Sequence, residues 1–342
     1  LIWFTLITSL LMSNIITMSS NHWLLAWLGL EMNTLSILPI IMKLHHPRST
    51  EAATKYFLIQ ATAATMILLA CTMNAWQTGG WSITHTTTTS ALLITTAIML
   101  KLGIAPTHTW YPQVLQGTTI HTALVISTWQ KIAPLTLLYM MHNHLNQTML
   151  LALGLLSALM GGLGGLNQTQ TRTIMAFSSI AHMGWLITAM TISPALTTLT
   201  MVMYMMMTTA TFMPLAATTT KTITDTGTTW SLSPPTLTAT MITLMSLGGL
   251  PPLAGFMPKW LILKELSSTG LLLLSTMILL SSLPSLFFYI RLTYLTTLTT
   301  PPTTTNTEHK WRFKPPQSTA TALTITSSMF LLPLTTVLYT TT

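Results

Sequence analysis

Leu247-Gly248-Gly249-Leu250-Pro251-Pro252-Leu253-Ala254-Gly255-Phe256-Met257-Pro258-Lys259 sits inside an apolar run that extends from about 236 to 266. A bilayer crossing takes about 20 mostly apolar residues, so the run is long enough. Its middle cannot be a continuous helix. Each proline lacks a backbone donor and clashes with the preceding turn, and the paired glycines weaken what remains. Non-helical backbone at membrane depth survives only inside protein or along a hydrated cavity. A lysine at the end of such a break stands where an ion or proton path would run. A second stretch repeats the arrangement: Lys101-Leu102-Gly103-Ile104-Ala105-Pro106 interrupts the run 90–111.

The rest of the chain obeys the same solvent. Only 13 Lys and Arg and 5 Asp and Glu occur in 342 residues, where a soluble chain of this length would carry about 85 charges. Half the residues are hydrophobic, and the mean hydropathy is +0.60. An ordinary soluble globule is excluded, and so is a single anchor, because no polar ectodomain is left over. The formal charge of +8 is too scattered for a nucleic-acid surface. Cys71 is the one cysteine; a lone thiol makes no internal disulfide, ordinary zinc site or iron–sulfur cluster. No phosphate-binding glycine motif is complete. Gly161 and Gly165 stand at GxxxG spacing, which reads as close helix packing.

About eleven runs qualify as spans: 1–18, 22–42, 53–76, 90–111, 118–141, 147–166, 172–191, 194–216, 236–266, 271–294 and 319–341. They are too long and continuous for barrel strands. The first run lacks a basic leader and a cleavage site and reads as a mature helix. Thr-rich, Pro-punctuated stretches near 78–90, 217–235 and 295–318 read as loops. With the N-terminus on the positive side, the loops of that side and their flanks hold nine of the 13 basic residues, among them Lys43, Arg48, Lys221 and Arg291. The opposite loops hold none, which is the positive-inside pattern of an odd number of helices. The two interrupted runs are the fourth and the ninth. An odd offset makes them run in opposite directions, as an inverted repeat requires. The expected fold is thus all-α and polytopic: one transmembrane domain over 1–342, with repeat halves 1–141 and 147–294 and a final helix 319–341.

Four charges remain inside the spans: Glu31, Lys101, Lys131 and Lys259. Lys101 lies about 16 Å from either end of its run at 1.5 Å per residue. A charge at a helix centre costs about 2.5–3.5 kcal/mol on insertion scales. Such residues face a bundle interior or a wet path. The plain alternative is an ion pair fixing helix register, but three lysines cannot all be neutralised by one carboxylate. Burial disfavours a charged ammonium and a nearby carboxylate favours it. A lysine whose distance to Glu31 changes is thus a switchable proton carrier, which arginine, always charged, is not.

His182 in the seventh run reads first as hydrogen-bonding glue between helices and second as a relay. His108, beyond Pro106, would extend a path toward the basic side. Glu51 supports the start of the third run. Asn146 and Asn167 match the glycosylation pattern, Asn167 on the cytosol-like side. No metal or cofactor ligand set is visible.

Several stretches carry a resemblance: His22-Trp23-Leu24-Leu25-Ala26-Trp27-Leu28-Gly29-Leu30-Glu31-Met32-Asn33, His46-Pro47-Arg48-Ser49-Thr50-Glu51, Thr128-Trp129-Gln130-Lys131, Gly165-Leu166-Asn167-Gln168-Thr169-Gln170 and Gly248 to Trp260. Together they resemble the NADH-ubiquinone oxidoreductase chain 2 family of animal mitochondria, from about residue 20 to the end of the tenth run. The resemblance implies an antiporter-like, proton-pumping subunit in the membrane arm of respiratory complex I, in the mitochondrial inner membrane, N-terminus in the matrix and C-terminus in the intermembrane space. It implies Glu31 and Lys101 as a modulating pair, Lys131 as the central proton carrier, and Lys259 leading toward the exit or the next subunit. Flavin, iron–sulfur clusters, NADH and ubiquinone would belong to other subunits. Partners would be other membrane-arm subunits and phospholipids, cardiolipin among them, and not nucleic acid. An autonomous cation/proton secondary transporter would use the same lysines. A structural subunit would use its charges only for packing.

Overall fold

The computed structural model describes residues 2–298 and 319–330. The basic stretch holding Lys310, Arg312 and Lys314, most of the expected loop 295–318 and the end of the expected last span lie outside them. The chain divides into two compact units, Leu1–Leu153 and Gly154–Thr342.

The first unit contains α1 (Ile2–Ser19), α2 (Trp23–Ile41), α3 (Pro47–Thr78), α4 (Thr88–Leu102), α5 (Trp110–Gly117), α6 (Ile120–Ser127) and α7 (Ile132–Met140). Then come α8 (Gln147–Gly165), which begins in the first unit, α9 (Thr171–Ile192), α10 (Pro194–Thr218) and α11 (Ile223–Leu232). The described residues end with α12 (Pro234–Gly248), α13 (Phe256–Ser268), α14 (Leu272–Leu298) and α15 (Thr319–Phe330). Seven of these helices, α1, α2, α3, α8, α9, α10 and α14, are long and apolar enough to cross a membrane. Large apolar side chains stay exposed on them, as in Ile2, Phe4, Leu273 and Phe287, which suits lipid and not water.

Sequence chemistry sets the ends. Pro47 opens α3 at a position where its missing donor costs nothing. The His46 ring accepts from the Arg48 amide, and Ser49 Oγ accepts from the His46 amide. These bonds start the helix six residues before the apolar run, at 47 and not 53. Gly79, at φ 72°, ends it.

Both expected breaks are present: α4 stops at Gly103 and α5 starts at Trp110, while α12 stops at Gly249 and α13 starts at Phe256. Two readings need correction. The run 118–141, read as one helix, is α6 and α7 separated by a 3-10 turn, Trp129–Lys131. Pro134 explains the restart, because it has no N–H for the Gln130 carbonyl and is tolerated only in a first turn. The stretch 217–235, read as a loop, contains α11. Thr222 and Asp225 form a reciprocal capping box there. The Thr222 amide and hydroxyl hold the Asp225 carboxyl below the usual carboxylate range.

A small backbone device recurs in each unit. In the first, Trp23 N–H donates to Trp81 O and Ile83 N–H to Asn21 O, bridging the segments ahead of α2 and α4. In the second, Thr171 N–H donates to Lys221 O and Ile223 N–H to Thr169 O, ahead of α9 and α11. In the numbering of the apolar runs the first bridge stands at the starts of helices 2 and 4, and the second at the start of helix 7 and of α11, the short helix ahead of the ninth run. A five-helix offset links the two breaks.

Candidate functional site

In the first unit, Lys101 and Lys131 line one cavity of about 20 Å³, room for roughly one water. Lys101 stands in the last turn of α4, 7% exposed, and its Nζ is buried without a hydrogen-bond partner. The C-terminal carbonyls of a helix favour a cation at that place. Gly103 makes the position possible. Its φ of 69° suits glycine, and an added Cβ would lie 3.1 Å from Tyr111 Cβ. Gln60 Nε2, from α3, donates to the Lys101 carbonyl (3.3 Å), occupying an acceptor at the helix end.

Lys131 ends the 3-10 turn and is 3% exposed. Its Nζ lies over the Tyr111 ring, 4.8 Å from the centroid, a cation–π distance. The α5 restart thus supplies the face on which the α6–α7 lysine rests. Glu31, half-buried on α2, does not line the cavity, but Thr34 does. The Thr34 hydroxyl lies 3.2 Å from Glu31 Oε2 and 2.8 Å from Glu31 O. Thr34 thus links Glu31 to the cavity lining. His108 is 8% exposed in the connection between α4 and α5, with Nδ1 buried and unpartnered, and lies outside the cavity lining. Pro106, in the same connection, is exposed.

The second unit has a site of the same kind. Lys259 and His182 line a cavity of about 20 Å³ together with Trp185 and Tyr204. Lys259 lies in the first turns of α13, and its Nζ donates to Gly248 O (2.9 Å), a carbonyl freed by the break. It also lies 5.9 Å from the Trp185 ring centroid. Gly249, at φ 83°, leaves the space: an added Cβ would meet Lys259 Nζ at 3.0 Å. The His182 ring is tilted 5.7 Å from that of Tyr204. Pro251 and Pro252 are exposed and line neither cavity.

Sequence reasoning passed over a set of buried polar side chains around the first cavity: Asn33, Thr34, Tyr56, Gln60 and Gln130. The available signal was amides at membrane depth, which are expensive unless hydrogen-bonded. The glycine pattern of α8 has the packing sense expected, split between two neighbours. An added Cβ on Gly161 would meet Ala181 N of α9 at 2.5 Å, and one on Gly165 would meet Phe288 Cδ1 of α14 at 2.7 Å. Among the described residues, no group of three or more His, Cys, Asp or Glu converges as a metal site would require.

The chain matches the family described as NADH:quinone oxidoreductase/Mrp antiporter, TM, over residues 20–285. It matches the NADH dehydrogenase subunit 2 C-terminus over 286–339. NADH-ubiquinone oxidoreductase chain 2 of Varanus nebulosus is 50% identical over 340 residues, 98% of each chain. A chain of respiratory complex I from Thermus thermophilus with bound aureothin has the same fold, with TM-score 0.83 and 23% identity over 99% of this chain and 77% of that one. A chain of the Mrp complex from Dietzia sp. DQ12-45-1b also shares the fold, with TM-score 0.77 and 16% identity over 84% of this chain and 59% of that one. Identity at this level over nearly the full length shows that the chain belongs to the NADH-ubiquinone oxidoreductase chain 2 family.

Proposed function

We propose that this chain is a proton-translocating membrane-arm subunit of respiratory complex I. Electron transfer from NADH to ubiquinone takes place on other subunits, which hold the flavin and the iron–sulfur clusters. This chain carries no redox site of its own and moves protons through its buried lysines. The observation that carries this reading is the shared cavity: two buried lysines line one water-sized space, and the ammonium of Lys101 has no hydrogen-bond partner. An unpaired buried ammonium is costly to keep charged, so small changes around it move its proton.

Lys131 is the carrier in this reading: its ammonium gives a proton to the cavity on one side and regains one from the other. Glu31, acting through Thr34, and Lys101 set which form of Lys131 is favoured. Lys259, with His182 beside it, leads toward the exit or the next subunit, and His108 serves the basic side. The chain is a multi-pass protein of the mitochondrial inner membrane, with its N-terminus in the matrix and its C-terminus in the intermembrane space. Its partners are the other membrane-arm subunits and phospholipids, cardiolipin among them.

Lys131→Met tests this in the assembled complex. The complex should still form, while coupled NADH:ubiquinone turnover falls by on the order of 10²-fold, the scale of one positioned proton-transfer group. Normal turnover with an unchanged proton-to-electron ratio would remove Lys131 from the path. Gradient-driven cation exchange by the isolated chain would favour an autonomous transporter.

A further inference from the structure

Four buried side chains join α1, α2 and α3 to the turn that carries Lys131. Tyr56 Oη donates to Gln130 Oε1 (3.3 Å) and Gln130 Nε2 to Asn33 Oδ1 (3.0 Å). Asn33 Nδ2 donates to Asn14 Oδ1 (3.3 Å), and Asn14 Nδ2 to the Trp129 carbonyl (3.3 Å). None of the four is more than 9% exposed. Because Trp129 and Gln130 are consecutive, the last three bonds close a ring: Trp129, Asn14, Asn33, Gln130.

The ring has one sense. A backbone carbonyl only accepts, so Asn14 must present its NH2 group to Trp129 and its oxygen to Asn33. That forces the Asn33 amide, then the Gln130 amide, and leaves Gln130 Oε1 to accept from the Tyr56 hydroxyl. Amide orientation is ordinarily a choice between two; here the carbonyl makes it. Both ends of the ring return to the same three-residue turn. The Trp129 indole adds a third tether, donating to Leu10 O (3.2 Å). A 3-10 turn has weak bonds of its own, so these external bonds decide where it sits.

We propose that the ring is a positioning device for Lys131. Asn33 is its central positioning residue, holding the turn so that the ammonium faces Tyr111 and the cavity shared with Lys101. The inference rests on the role given to Lys131 above. Simple glue between two helices would need one amide pair. Here α1 and α2 are connected to each other and both to a turn whose last residue is the lysine.

The test is a double-mutant cycle in the assembled complex. Asn33→Leu and Asn14→Leu are close to isosteric, and each opens the ring. Either should lower coupled turnover per assembled complex by about fivefold, the factor set by one hydrogen bond's net contribution. The proton-to-electron ratio should fall, and the KM for NADH should stay unchanged. The double variant should be no worse than either single one, since an opened ring cannot be opened again. Asn33→Ser, smaller and gentler on assembly, should show the same loss. Additive losses, or normal turnover and proton-to-electron ratio per assembled complex, would overturn the proposal. So would loss of assembly in every variant with normal activity in the complex that remains, which makes the ring purely structural. If Lys131→Met is also silent, the site reading fails; if Lys131→Met is impaired and the ring variants are normal, only the positioning role fails.

Discussion

At the residue scale the question is why the mid-membrane bases are lysines. Guanidinium stays charged under all ordinary conditions, while an ammonium surrounded by apolar groups can give up its proton. Lys131→Arg separates charge from proton transfer, since it keeps a cation over Tyr111 and removes the exchangeable proton. Turnover of the assembled complex should be as low as in Lys131→Met. Near-normal turnover with arginine would mean that a fixed charge is enough. Lys101, Lys131 and Lys259 were legible in the sequence because a charge in an apolar run stands out against its surroundings. The pairing of Lys101 with Lys131 was not, because they are 30 positions apart and meet only through the α4 and α6–α7 breaks. Asn14, Asn33 and Gln130 were passed over for a different reason. An uncharged amide in an apolar run looks like tolerated variation until its partners are known.

At the element scale, each broken helix restarts with a proline in the third position of the new segment: Pro112 in α5, Pro134 in α7 and Pro258 in α13. A proline there has no N–H for the carbonyl four residues back, so the preceding segment cannot run through. The breaks at Gly103 and Gly249 were visible because glycine and proline fall together. The break before Pro134 has no glycine, and an apolar run with one proline reads equally well as a kinked helix. Pro134→Ala restores the missing donor and lets α6 and α7 move toward one continuous helix. That rotates Lys131 away from Tyr111. Assembly should survive, while coupled turnover should fall by about tenfold, a loss expected when a catalytic group is misplaced by about an ångström. Full activity in Pro134→Ala would show that the turn is set by the hydrogen-bonded ring alone.

At the scale of the whole molecule, the charge asymmetry of the loops is the strongest statement the sequence makes about orientation, and α3 is the place to test it. Its 32 residues span about 48 Å at 1.5 Å per residue, against a hydrocarbon core of about 30 Å. One end must therefore reach beyond the core. The polar first turns, where Glu51 pairs with Lys55 at 2.5 Å, are the end that water tolerates. The other end leads at Gly79 into the uncharged Thr-rich segment before α4. Cys71 is the sole native cysteine and is buried, so background labelling by a membrane-impermeant maleimide should be low. Thr54, in the second turn of α3, and Thr84, in the segment that follows its other end, are both exposed. Thr54→Cys should be labelled from the matrix side in inverted inner-membrane vesicles and protected in mitoplasts, and Thr84→Cys should show the reverse. The opposite pattern would invert the chain and move the His108 side of the first cavity to the intermembrane space, reversing the sense in which Lys131 takes up and releases its proton.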